Sequence, residues 1–342
     1  MSGVTAYAQC PRCASKHVNL AWAAWQELDH QADNLDYCAA NLRMAGEHLA
    51  KIFPAVATQC RDVAIRIEDG DHDEVLADLN ALRMQLRGLS APAIPLIIPY
   101  RLDESWQGRG DELRLLLRSI ERHVTGLSEL CIVADVLPDW LEPESVRWIR
   151  QGNPYRNCKD ANLHLKISRA VSGLGLSGHD RWCFSADDCA FLRPCDLRTM
   201  PVIFNGSIRA RFAATPGNRW HRRMVNTFDY LASRGIQMSY SYDCHVPQVF
   251  EAATITEKMQ GVDYTAGEGY CIYTLWRGLE GKTSGDIRQS SVVVRYGTAE
   301  DASSVPLTDG KLMCTYCDAP FGAGLRDRLY ALFPIPSRYE RK

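Results

Sequence analysis

Residues 181–194 read RWCFSADDCAFLRP: a short apolar run, two adjacent carboxylates at Asp187 and Asp188, then a second apolar group closed by proline. An unpaired carboxylate is expensive to bury, so the pair marks the point where a buried strand gives out. Upstream, the β-rich run IPLIIPY (94–100) is followed by the helical pattern DELRLLLRSIERHV (111–124). The apolar ELCIVADV (129–136) and a second helical pattern, NCKDANLHLKISRAVSGL (157–174), come next. Strands alternating with helices predict an α/β domain whose mostly parallel sheet is covered by helices on both faces. Right-handed crossovers bring the strand ends to one edge of such a sheet, where open α/β folds bind ligands. Asp187 and Asp188 are expected at that edge.

The chain has 342 residues, 46% of them hydrophobic, enough for a sizeable core and roughly two to three domains. A net charge of −2 excludes a protein coated in basic surface, though not a local basic patch. The start, MSGVTAYAQC, lacks the basic and apolar segments of a secretory signal. The longest apolar run, APAIPLIIP, falls short of the ~20 residues that cross a bilayer. A cytoplasmic protein with no membrane partner is expected, and its 13 cysteines read mainly as small buried hydrophobes. Residues 1–89 show helical spacing in HVNLAWAAWQELDHQ, CAANLRMAGEHLAKIF and DEVLADLNALRMQLRGL. The expected organisation is a helical domain over 1–89, the α/β domain over 90–285, and an extension over 286–342 that braces it.

Several groups of residues suggest chemistry. Hard cations such as Mg²⁺ or Mn²⁺ are held by one or two carboxylates together with substrate phosphates, a role open to Asp187 and Asp188; a water-facing loop pair is the alternative. In YDCHVPQVF (242–250), Asp243 and His245 are two residues apart and on an extended segment would project from one face. Lys159, Asn162 and Lys166 share a helical face, and lysine suits a phosphate. Tyr100, Arg101 and Asp103 follow the first strand. Asp111, Glu112 and Arg114 open the first helix, where an acid also stabilises the helix dipole. Glu268 stands between two glycines, which let backbone approach a ligand, and is a candidate general base. From Ser207 to Arg223 the chain carries five arginines, one histidine and no acid. Arg209, Arg211, Arg219, Trp220, Arg222 and Arg223 there suit phosphate contact and base stacking, or else a solvated loop. Near the N-terminus, Cys10, Cys13 and His17 fall on one helical face as a partial zinc set. His48, Cys38 or Cys60 could complete it; cysteines packed in a helical core are the alternative. The pair Cys314 and Cys317 reads as structural.

In order, AIPLIIPYR, GDELRLLLRSIERH, ELCIVADVLPDWL, NCKDANLHLKISRA, FSADDCAFLRP and YDCHVPQVF resemble glycosyltransferases of the Rossmann-like GT-A fold. The similarity spans about residues 93–255. It points to bacteriophage-encoded members and the related Stealth sugar-phosphate transferases, and the ending FPIPSRYE favours the phage branch. The resemblance implies that Asp187 and Asp188 hold a Mn²⁺ or Mg²⁺ ion bridging the diphosphate of a nucleotide-sugar donor, a UDP-sugar. It implies that His245 completes the metal shell, with Asp188 and Asp243 catalytic. Donor contacts then fall to Tyr100, Arg101, Asp103, Arg114, Lys159, Asn162, Lys166 and Asp187. A departure lies at CAF (189–191), where many relatives carry two or three aromatics. Phage relatives are associated with hypermodified DNA, so the implied acceptor is a hydroxymethylated pyrimidine, extruded or unpaired. A Stealth-like transferase acting on polysaccharide, and a non-catalytic nucleic-acid-binding protein on a degenerate transferase fold, are the competing expectations.

Overall fold

A computed structural model describes residues 32–50, 54–68, 82, 92–101, 110–156, 158–208, 217–265, 268–282, 285–307 and 310–341. Cys10, Cys13, His17, Asp103, Arg209 and Arg211 lie outside the described residues, as does the side chain of His48. The chain divides into two compact units, 1–92 and 93–342. Residues 286–342 belong to the second unit.

In the first unit, helix α1 (Ala32–Leu49) packs on α2 (Pro54–Glu68). Ala39, Leu42, Ala45 and Leu49 are buried on one helix, Val56, Cys60, Val63 and Ile67 on the other. Arg43 and Glu68 pair at the surface.

The second unit is built on β1 (Ile94–Pro99), α3 (Asp111–His123), β2 (Leu127–Ala134), β3 (Arg147–Arg150), α4 (Lys159–Gly173) and β4 (Arg181–Phe184). There follow β5 (Cys189–Phe191), α5 (Arg219–Ser233), β6 (Gln248–Glu251), α6 (Ile272–Leu279), β7 (Val293–Tyr296), β8 (Met313–Tyr316) and α7 (Arg326–Leu332). The main sheet runs β6-β4-β1-β2-β3. Its β1–β2, β1–β4 and β2–β3 pairings are parallel, and the edge strand β6 is antiparallel to β4. The domain is therefore α/β with a mostly parallel, Rossmann-like sheet.

Burial explains the continuous apolar strands. Leu96 and Ile98 of β1 join Leu130 and Ile132 of β2 in one core, with Leu113, Leu116 and Ile120 of α3. Ile97, Cys131, Val133, Trp182 and Phe184 point the other way, into a second core with Ile167, Ala170 and Val171 of α4. Both faces are dry, so the strands need no polar alternation. At ~25 cal/mol per Å² of apolar area, burying such side chains stabilises by roughly 1.5–3 kcal/mol each.

Two features of topology position the site. Chain order reverses between β1 and β4: β2 and β3 add on one side of β1, and β4 follows on the other. That is the switch point at which the crevice opens beyond the strands' carboxyl ends. The C-terminal residues form a second sheet, β7-β8-β5, in which β8 runs antiparallel to β5 directly after the acid pair. Beyond it, Arg118 of α3 grips both carboxylate oxygens of Glu340 at 2.8 Å.

Candidate functional site

The carboxyl ends of β1 and β4 open into three adjoining cavities. The innermost, about 160 Å³, is lined by Asp187, Asp188, Asp243, His245, Trp220 and Arg223, among others. The largest, about 840 Å³, includes Tyr100, Arg101, Arg156, Lys159, Asp187 and Arg219. A third, about 510 Å³, reaches from Tyr155 and Arg156 to Glu268. Lys159, at the start of α4, lines all three. Arg101, Arg156, Lys159, Lys166 and Arg219 thus line the large cavity together with Asp187, while Asp188 lines the inner one.

The acid pair follows β4 at once. Ser185 N donates to Ile97 O at 3.0 Å, the last ladder bond before the turn. The backbone oxygen of Asp188 accepts from Tyr316 N at 3.1 Å and Thr315 Oγ1 at 3.2 Å, so β8 fixes where the turn stands. Burial, reinforced by the Asp188 charge, pushes the Asp187 carboxyl up to about 7. Burial pushes Asp188 up to about 6, against the opposing pull of Lys159. Asp188 Oδ1 is enclosed and has no hydrogen-bond partner. Two carboxylates and an unsatisfied oxygen fit a hard divalent cation, whose remaining positions are commonly filled by water and substrate phosphate. Among the described residues, no three His, Cys, Asp or Glu side chains lie close enough together to hold an ion by themselves.

Asp243 and His245 line the inner cavity, although not by strand alternation. Residues 242–247 form a bend outside the strands, and His245 has φ 48°. Side-chain periodicity of two therefore does not describe this segment; a left-handed turn does. Burial raises the Asp243 carboxyl and lowers the His245 imidazole. Thr274 Oγ1 donates to Asp243 Oδ2 at 3.3 Å.

Other predicted residues are occupied internally. Lys166 Nζ donates to Tyr100 O at 2.6 Å, and burial lowers its ammonium to about 8. Asn162 clamps the loop before α4, accepting from Tyr155 N and donating to Tyr155 O and Cys158 O. Both line the large cavity while shaping its wall. Arg114 stands elsewhere. It lies over Trp140 at 4.5 Å and 3.5 Å from Glu340, a partner that sequence spacing does not reveal.

The basic stretch acquires acids from distant parts of the chain. Arg219 and Arg222 pair with Glu268 at 3.3 and 3.0 Å. Arg223 pairs with the buried Asp160 and donates to Tyr270 O at 2.7 Å. Gly269, at φ 85°, lets this loop press against Asp160, where a Cβ would collide with the carboxylate. Glu268 is therefore held at the rim by two guanidiniums and is absent from the inner cavity's lining.

Glu112, read in the sequence as opening the first helix, comes under the influence of the acid pair, and Tyr155, Arg156 and Asp318 join the site without having been singled out there. Burial, then the charges of Asp187 and Asp188, pushes Glu112 up to about 8. Its Oε1 is enclosed without a partner. Arg156 adds a cation and Tyr155, 43% exposed, a ring. Position in the loop leading into α4, at the ligand-binding edge, is the signal that could have found them. Asp318, which lines the large cavity from the C-terminal segment, has no such signal.

A scan against protein-family models matches none, and no curated protein matches the chain. Among the described residues no helix is long and apolar enough to cross a membrane.

Proposed function

We propose that the chain is a metal-dependent GT-A glycosyltransferase that moves a sugar from a nucleotide-sugar donor, a UDP-sugar, to a hydroxymethylated pyrimidine in DNA in the cytoplasm of the host cell. One observation carries the reading: at the switch point Asp187 lines a cleft together with Arg101, Arg156, Lys159 and Arg219, and Asp188 lines the inner cavity that shares Asp187 and Lys159 with it. Cations and carboxylates lining adjoining cavities suit a diphosphate that is bound together with a divalent ion.

Asp187 and Asp188 would hold Mn²⁺ or Mg²⁺, and His245 lines the same inner cavity. When bound, the ion neutralises charge that develops on the departing diphosphate. Lys159 and Arg219 bind the phosphate oxygens and orient the donor. Tyr155 offers a face to the nucleobase. Asp243 removes the proton from the acceptor hydroxyl as the new C–O bond forms and the bond to the diphosphate breaks. Its burial raises its basicity toward that task.

The test is nucleoside mass spectrometry on hydroxymethylated DNA incubated with the protein, Mn²⁺ and a panel of nucleotide sugars. A hexose or pentose increment, abolished by chelator and by Asp188→Ala, is expected. Full activity in a folded Asp188→Ala protein would overturn the site. Release of nucleoside diphosphate without a DNA increment would overturn the acceptor alone.

A further inference from the structure

Three residues that line the inner cavity each carry an enclosed polar atom without a hydrogen-bond partner: Asp188 Oδ1, Arg223 Nε and Tyr273 Oη. A buried polar group left unpaired is costly, and each one in a folded protein calls for an explanation. Asp188 has one in the ion it would hold. Arg223 is fixed through another nitrogen, by Asp160 and by Tyr270 O. Tyr273 has no part in anything described above. It is 7% exposed, and its ring stands in an aromatic cluster, edge-on to Phe184 at 5.0 Å, 6.3 Å from Phe250 and 6.5 Å from Trp276. Those rings come from β4, β6 and α6, so packing holds the phenol in place without a bond to its hydroxyl. Burial, then the Asp188 charge, raises the phenol well above its ordinary range, and it keeps its proton.

The guanidinium N–H of Arg223 and the phenol O–H of Tyr273 are donors, and both call for an acceptor oxygen. The inner cavity shares Asp187 and Lys159 with the large one, so a group attached to a diphosphate in the large cavity has the inner cavity next to it. We infer that the inner cavity takes the sugar of the donor, and that Tyr273 is a specificity-determining residue whose hydroxyl donates to a sugar hydroxyl. The inference rests on the nucleotide-sugar reading above. A site built to hydrogen-bond a substrate hydroxyl rejects the analogue that lacks it, because the protein's own polar group is then left unpaired. Tyr273 thus selects a sugar that presents a hydroxyl to α6 over its deoxy counterpart.

The test is calorimetric titration of the full chain, with Mn²⁺ present, by UDP, by a panel of UDP-sugars and by the monodeoxy analogues of the sugar that binds. Tyr273→Phe should bind UDP as tightly as the unchanged protein and the UDP-sugar about tenfold more weakly, the scale of one lost neutral hydrogen bond. One monodeoxy analogue should show the same loss with the unchanged protein and no further loss with the variant. Phenylalanine keeps the ring contacts and removes a hydroxyl that has no partner, so the urea midpoint of the ligand-free variant should not fall. A lower midpoint, or a variant that does not fold, would give the hydroxyl a structural role and overturn the inference. So would a folded variant that binds the UDP-sugar as tightly as the unchanged protein, or an unchanged protein that binds UDP and no UDP-sugar. No uptake of UDP by the unchanged protein would instead defeat the nucleotide-sugar reading itself, and the inference with it.

Discussion

Replacing Asp187 by asparagine should make the metal-free protein more stable while removing its use for a cation. The folded state holds the Asp187 carboxyl near 7, against 3.8 when free, because of burial and the neighbouring Asp188 charge. Between those values the folded chain binds more protons than the unfolded one, so stability falls as pH rises through the window, and the whole penalty applies above it. A difference of about 3 pKa units corresponds to about 4 kcal/mol at most. Water reaching the half-buried carboxylate lowers that figure, so Asp187→Asn should gain between about 1 and 4 kcal/mol at pH 8. Near pH 4.5 the gain should shrink to about 1 kcal/mol or less, because most of the proton-binding difference lies above that pH. The assay is urea unfolding of both proteins in chelator at pH 4.5 and 8, followed by tryptophan fluorescence. Mn²⁺ with UDP should then raise the midpoint of the unchanged protein and leave the variant's unmoved. An equal or lower stability of Asp187→Asn at pH 8, or a gain that ignores pH, would refute the reasoning.

His164 stacks on Tyr264 at 3.8 Å, and burial lowers its imidazole to about 4. Acid protonates it first in the unfolded chain, so stability is full above about 6.5 and falls toward 4. Between pH 7 and pH 5 it should cost the native protein about 2 kcal/mol that His164→Phe does not lose; equal losses by urea unfolding would contradict this. Glu268→Gln frees Arg219 and Arg222 from their shared partner and should tighten DNA binding, with a salt dependence steeper by about one charge. An unchanged slope in a salt titration would remove these arginines from the nucleic-acid surface.

Local pattern carried much of the fold. The runs at 94–99 and 181–184 are apolar because both faces of their strands are covered, and such runs are readable without knowing the covering helices. The acid pair was readable for the complementary reason: charge ends a dry strand. Pairings across long separations were not. The stretch from Ser207 to Arg223 contains no acid, yet Asp160 and Glu268 neutralise much of its described part from elsewhere in the chain. Arg114 looked free to meet a donor because Glu340 lies far along the chain. The bend at His245 defeats spacing arguments altogether, since its backbone is held by Asn205, Thr274 and Gln289 from distant parts of the chain as well as by nearby Gln248.

The strand that anchors Asp188 is contributed by residues 127 positions later. On a ribosome, β1, α3, β2 and β4 emerge long before β8, and the acid turn stays without its anchor until that strand is made. Long-range pairings of this kind form late. A chain cut short before Met313 would retain Asp187 and Asp188 and lack the bonds that fix them. Completion of that strand therefore sets the geometry of the turn: partial products of translation should carry the acid pair without the bonds that hold it in place.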